Sequence, residues 1–206
     1  MPFAASWSRA ETAPVGRLIP WLLREDAQLR RLPFAEVIAD TTGKKIIASD
    51  PHNAADQRVI RQITTAFDEV VRQSNAPESV IQSIPRIHEV NSHFEDSLRE
   101  SLDATPGLRC DFPHTAEGHV QRSGYLDLRI VDREMKRVFY LDPKLSAAGS
   151  RESNFRTLYF EPKKSTNEVL DDAVHFIAGF ERETKKDGHW KFTHWDMVDL
   201  AHSKRA

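Results

Sequence analysis

Residues 124–145, GYLDLRIVDREMKRVFYLDPKL, constrain this chain more than any other stretch. Two apolar-rich runs, GYLDLRIV and VFYLDPKL, flank a short charged tract, which is the pattern of a β-hairpin. Each run carries an aspartate in its middle, Asp127 and Asp142, where packing alone favours Leu or Val. Side chains alternate across a strand, so Tyr125, Asp127, Arg129 and Val131 share one face. In the second run Val138, Tyr140, Asp142 and Lys144 share a face. Folding the pair about Arg133-Glu134-Met135-Lys136 as a four-residue loop predicts that 132 faces 137, 131 faces 138 and 127 faces 142.

That register sets two aspartates opposite each other, with Cβ atoms roughly 4.5–5.5 Å apart, where like charges destabilise a sheet. A shared proton, a neighbouring cation such as Lys144, or a bound divalent metal would each offset the repulsion. Mg²⁺ suits such a site, because it prefers one or two carboxylates completed by water. On the hairpin alone, a structural cluster with Lys144 bridging both acids at a sheet end is the favoured reading.

The rest of the chain is that of an ordinary folded protein. Its 206 residues suffice for a sizeable core in one domain, or a domain with an extension. A formal net charge of -2 gives no overall attraction to nucleic acid, so a polyanion site must be a local patch or be made by a cation. The lone Cys110 excludes an intrachain disulfide framework and a cysteine-based zinc site. The N-terminus lacks a basic segment followed by an apolar one, and no apolar run is long enough to span a bilayer, so a cytoplasmic setting without membrane contact is expected.

Periodicity predicts an amphipathic helix over 15–31, a small hairpin FAEVIAD-TTG-KKIIASD with Gly43 in its turn, and a helix over 54–74. The proline-bearing NAPESVIQSIPR suggests a boundary, giving a mainly helical extension over 1–84 and a core over 85–206. In the core a helix near 89–103 precedes the short strand LRCDF and the hairpin. A further strand FRTLYFEP, a helix over 168–183 capped from KKSTN, and a last strand HWKFTHWDMVDL follow. The expected fold class is therefore α/β, a mixed central sheet with flanking helices.

The helix near 89–103 carries an apolar stripe of Val90, Phe94, Leu98 and Leu102. Glu95 lies at its border, while Glu89, Asp96 and Glu100 point well away. A border carboxylate can reach a site on the sheet; Glu100 is a weaker second. Among the histidines, His88 and His93 are five apart and diverge on a helix, so they do not make the zinc-protease pair, which needs a spacing of four. His175 falls on the polar side of the helix expected over 168–183, as a solvated residue.

An acid in one strand, then acid-x-Lys in the next, after a helix bearing a Glu, resembles the PD-(D/E)XK nuclease superfamily over residues 87–200. The resemblance implies an α-β-β-β-α-β, restriction-endonuclease-like core and a metal-dependent nuclease, with DNA as the expected substrate. It further implies that Asp127, Asp142 and Glu95, with the carbonyl of Pro143, hold Mg²⁺ or Mn²⁺. Lys144 would orient water or stabilise charge on phosphorus. A homodimer is compatible with it, since many nucleases that cut both strands dimerise.

Two departures stand out. Leu126 replaces the usual proline before the first acid, and Pro143 cannot donate to a ladder, which argues against a mid-sheet position. Glu161-Pro162-Lys163 repeats the acid-Pro-Lys form as a rival motif. Arg129, Lys136, Arg137, Lys144, Arg151, Arg156, Lys163 and Lys164 are available for phosphate contacts. A catalytically silent nuclease-like domain that binds nucleic acid or a protein partner, a structural Asp-Asp-Lys cluster, and a ribonuclease remain alternatives.

Overall fold

The computed structural model describes residues 33–120, 122, 125–149, 167–183 and 188–202. The helix expected over 15–31, the strand FRTLYFEP and the Glu161-Pro162-Lys163 motif lie outside these residues.

Among the described residues four helices precede the sheet: α1 (Phe34–Thr42), α2 (Ala54–Ser74), the single turn α3 (Val80–Ser83) and α4 (Ile87–Asp103). Asn53 starts α2, its side-chain oxygen accepting from the N–H groups of Ala55 and Asp56. The sheet follows as β1 (Leu108–Asp111), β2 (Leu128–Asp132), β3 (Val138–Ala147), β4 (Val174–Arg182) and β5 (Phe192–Asp199), in spatial order β1-β2-β3-β4-β5. Among the described strands only β3 and β4 run parallel, and the other neighbouring pairs are antiparallel. The sheet is mixed, and described helices cover both of its faces.

One face packs against α2 and α4. Val59, Ile63, Phe67 and Val70 join Val90, Phe94, Leu98 and Leu102 over Leu128, Ile130, Phe139, Leu141, Phe176 and Phe180. The α4 stripe is buried as its periodicity demands, each side chain contributing about 1.5–3 kcal/mol. This cluster runs across the boundary expected near residue 84, because α2 precedes that point and α4 follows it. The other face packs Val138, Tyr140, Ala173 and Val169 against Phe34 and Ile38 of α1, with Tyr125, Leu126 and Leu200.

Two expected elements are corrected. The segment from Phe34 is no hairpin: Phe34 and Ile38, four apart, bury one face of α1. Gly43 then ends that helix in the left-handed region at φ 70°, its N–H donating to Ala39. The helix expected over 168–183 is a loop followed by β4. Val174, Phe176, Ala178 and Phe180 face the main cluster with a period of two, while His175 is fully buried rather than solvated.

Candidate active site

The hairpin pairs as its sequence requires. Val131 faces Val138, Ile130 faces Phe139, Arg129 faces Tyr140 and Leu128 faces Leu141. Asp132 N–H donates to the Arg137 carbonyl at 2.9 Å, closing the turn. The ladder ends at Leu128, so Asp127 stands one residue before β2 and Asp142 one residue beyond the last pair.

Lys144 ties the two acids together. Its Nζ lies 2.6 Å from Asp142 Oδ1 and 3.2 Å from Asp127 Oδ2. Both aspartates are buried, Asp142 to 1% exposure, whereas the Lys144 side chain is 46% exposed. Burial works to lower the Lys144 pKa, but the charges of Asp142 and Asp127 outweigh it and hold the ammonium charged. Burial, then the hydrogen bond to Asp127, pushes the Asp142 carboxyl well above the usual range, with Lys144 opposing. Oδ2 of Asp142 is buried with no donor, so it is satisfied by a proton shared with Asp127 when one acid is neutral, or by a cation when both are ionised.

Two further carboxylates bear on Asp127. Glu95 of α4 is mostly buried and its pKa is raised to about 7, by burial first and then by the charge of Asp127. Arg122 opposes that shift from 3.2 Å, while contacting Asp96 at 3.1 Å and covering the ring of Phe112. Glu168, in the loop before β4, has 4% exposure and a pKa raised to about 8 by burial and by Asp127. Its Oε1 is buried and unbonded. Glu100, by contrast, is exposed and pairs with Arg99.

The peculiarities of the motif have local explanations. Leu126 has φ 85°, a conformation closed to proline, whose ring holds φ near -65°. Its side chain is buried in the second cluster, which offsets the strain. Pro143 belongs to the middle strand and faces Ala178 of β4, but it lies beyond the last β2–β3 pair, on a locally open edge. Successive backbone groups alternate in direction, and Arg137 points its carbonyl at β2, so residue 143 directs its missing N–H to the same side. There β2 has already ended, and no ladder bond is lost.

Further polar contacts run along the hairpin. The Tyr125 hydroxyl meets His175 Nδ1 at 2.7 Å. Arg129 donates twice to Asp171, at 2.8 and 3.1 Å, and the Tyr140 hydroxyl donates to the same carboxylate at 2.7 Å. Arg137 pairs with the buried Asp56 at 2.9 Å. Arg129 and Arg137 are thus engaged internally rather than free for phosphates. Arg151, Arg156, Lys163 and Lys164 lie outside the described residues.

The structure therefore brings Asp127, Asp142 and Lys144 into contact and sets Glu95 within electrostatic reach. Sequence reasoning missed Glu168, whose place depends on contacts between distant segments. No three His, Cys, Asp or Glu side chains among the described residues already converge as a metal cage. The donor chemistry nevertheless fits a hard divalent cation: oxygen ligands only, a buried Asp142 oxygen without a donor, and a lysine ammonium now between the acids.

Residues 27–205 match the model of the Type II restriction enzyme MjaV family. A curated relative, Type II restriction enzyme MjaV of Methanocaldococcus jannaschii, is 26% identical over 194 residues, covering 89% of this chain and 83% of that protein. No solved structure matches the chain. No described helix is long and apolar enough to cross a membrane.

Proposed function

The chain belongs to the Type II restriction enzyme MjaV family, and from that premise we propose that it is a divalent-metal-dependent endonuclease that hydrolyses phosphodiester bonds in DNA. The observation that carries the reading is the contact of Lys144 Nζ with both Asp127 and Asp142 at the point where the hairpin ladder stops. The acid and the acid-x-Lys of the PD-(D/E)XK pattern thereby share one small, partly open place.

Asp127 and Asp142 would hold Mg²⁺ or Mn²⁺, with Glu95 and the Pro143 carbonyl as further oxygen donors. A bound cation would supply Lewis acidity to the scissile phosphate and favour ionisation of water beside it. Lys144, released from its two acids, would orient water or neutralise charge gathering on phosphorus. The restriction-endonuclease-like core is supported by the β1–β3 meander and the parallel β3–β4 pair behind α4. A homodimer acting on both strands and a cytoplasmic location are part of the same proposal.

The test is cleavage of linear duplex, supercoiled plasmid, single-stranded DNA, branched DNA and RNA in Mg²⁺, Mn²⁺ or EDTA. Asp142→Ala and Lys144→Ala proteins, shown to be folded, serve as controls. Metal-dependent cutting of duplex DNA, lost in both variants, is the expected result. Cutting that survives both substitutions refutes the assignment of this site. Absence of cutting together with absence of Mn²⁺-induced stabilisation turns the reading to a silent DNA-binding domain.

A further inference from the structure

Tyr125 and His175 form a buried polar pair that the proposed chemistry leaves unused. The Tyr125 hydroxyl meets His175 Nδ1 at 2.7 Å, and both side chains are buried. Their rings stack with centroids 5.9 Å apart, while Phe34 of α1 makes a T-shaped contact with the Tyr125 ring at 5.1 Å. Tyr140, the β3 neighbour of His175, makes a T-shaped contact with the imidazole at 5.0 Å. Tyr125 is thus held from α1 and from β4 at once.

The place of this pair in the chain gives it a consequence for the site. The last β2–β3 pair is Leu128 with Leu141, so that ladder does not set the backbone over 125–127. Leu126 adopts the left-handed φ of 85° and buries its side chain in the second cluster. A residue other than glycine keeps that conformation only where its surroundings hold it. Apolar packing lets an aromatic ring slide within its plane, whereas a hydroxyl bond of defined length and angle does not. A displaced Tyr125 carries Leu126 and Asp127 with it. The Asp127 Oδ2 to Lys144 Nζ contact, at 3.2 Å, is already at the long end of a hydrogen bond and has little slack.

His175 is a costly residue for this position. Burial holds the imidazole neutral, and its Nε2 is buried without a hydrogen-bond partner among the described residues. An unsatisfied buried polar atom costs about 1–3 kcal/mol, which a Leu or Phe beside Val174 and Phe176 would avoid. The directional contact that the imidazole makes instead is the one to Tyr125.

We propose that Tyr125 and His175 are positioning residues for Asp127: their hydrogen bond fixes the left-handed turn at Leu126 and so aims the Asp127 carboxylate at Lys144 and Asp142. The assignment rests on the reading of Asp127 as part of the active site. Both residues act through the backbone.

Steady-state cleavage of duplex DNA in Mg²⁺ by the full-length protein tests it, with unfolding midpoints measured in parallel. Tyr125→Phe keeps the ring beside Phe34 and His175 and removes only the hydroxyl. It should lower kcat by about tenfold or more and leave KM for DNA within about twofold, since a remote change that misplaces a catalytic group by about 1 Å can cost about 10²-fold. His175→Asn keeps an amide that can meet the hydroxyl, and should recover most of the rate lost in His175→Leu. A contact that serves stability alone would move the unfolding midpoint and leave kcat unchanged. Wild-type kcat in Tyr125→Phe, or equal losses in His175→Asn and His175→Leu, would overturn the proposal. Should His175→Leu fail to fold, Tyr125→Phe decides by the same criterion. Asp127→Asn separates the two readings: undiminished cutting there overturns the site and this inference with it, whereas lost cutting beside wild-type kcat in Tyr125→Phe overturns this inference alone.

Discussion

The fully buried His175 predicts a loss of stability in acid that can be sized from its surroundings. Burial lowers its pKa from 6.5 to about 4. Below about pH 6.5 the unfolded chain protonates this residue, whereas the folded chain does so only near pH 4. In that window the unfolded state binds more protons, so the contribution of His175 is complete above the window and drains away as pH falls through it. At roughly 1.4 kcal/mol per pH unit the full loss is about 3 kcal/mol, or roughly 6–12 °C in Tm for a chain of this size. Glu95 and Glu168 act in the opposite sense, because their raised pKa values favour the folded state as acid is added. The informative quantity is thus the difference between wild type and His175→Asn, whose amide can still meet the Tyr125 hydroxyl and does not titrate. Urea unfolding in EDTA from pH 4 to pH 7.5 should show the two stabilities converging in acid by about 3 kcal/mol. Parallel curves over that range would refute the claim that His175 is held neutral.

Two other substitutions probe how the site is supported. Leu126→Pro should abolish folding or cleavage, because φ 85° lies outside the range of proline, while Leu126→Gly should keep the backbone and lose mainly the buried side chain. A soluble, active Leu126→Pro protein, assayed by circular dichroism and DNA cleavage, would contradict the geometry before Asp127. Asp171→Asn should cost about 2–3 kcal/mol, since it weakens charge-assisted bonds from Arg129 and Tyr140 in a half-buried place. An unchanged unfolding midpoint would show that the loop is held by other means.

What was legible in the sequence followed from patterns with one solution. The long period-3.6 stripe of α2 and the four-residue stripe of α4 admit no strand. The hairpin register was fixed by a charged four-residue loop and by apolar residues that must face the core, and a slip by one would expose Leu128, Ile130 and Phe139 together. Asp127, Asp142 and Lys144 came from that register, and the border position of Glu95 from the α4 stripe. The β4 segment was ambiguous because Leu170, Ala173, Val174, Ile177 and Phe180 also recur at helical spacing. A strand beside a parallel neighbour and covered on both faces has no polar face to break the tie. Gly179 inside the run was the available signal against a helix. His175 was misplaced with its strand, and Glu168 with the loop, since residues remote in sequence, Arg129, Tyr140 and Lys45, hold that loop in place.

Unequal strand lengths explain why the acids sit where they do. β3 spans ten residues and β2 five, so β3 continues along β4 after its other neighbour has stopped. In the gap, backbone groups of β3 that would have bonded β2 are released from the ladder. A residue without an N–H is tolerated there, and a carbonyl on that side becomes available as a donor oxygen. The left-handed turn at Leu126 delivers Asp127 to the mouth of the same gap instead of continuing the strand. An uninterrupted ladder would have put Asp127 and Asp142 in a closed sheet, where only a proton or Lys144 could separate their charges. Ending β2 early leaves Lys144 half exposed beside two buried acids.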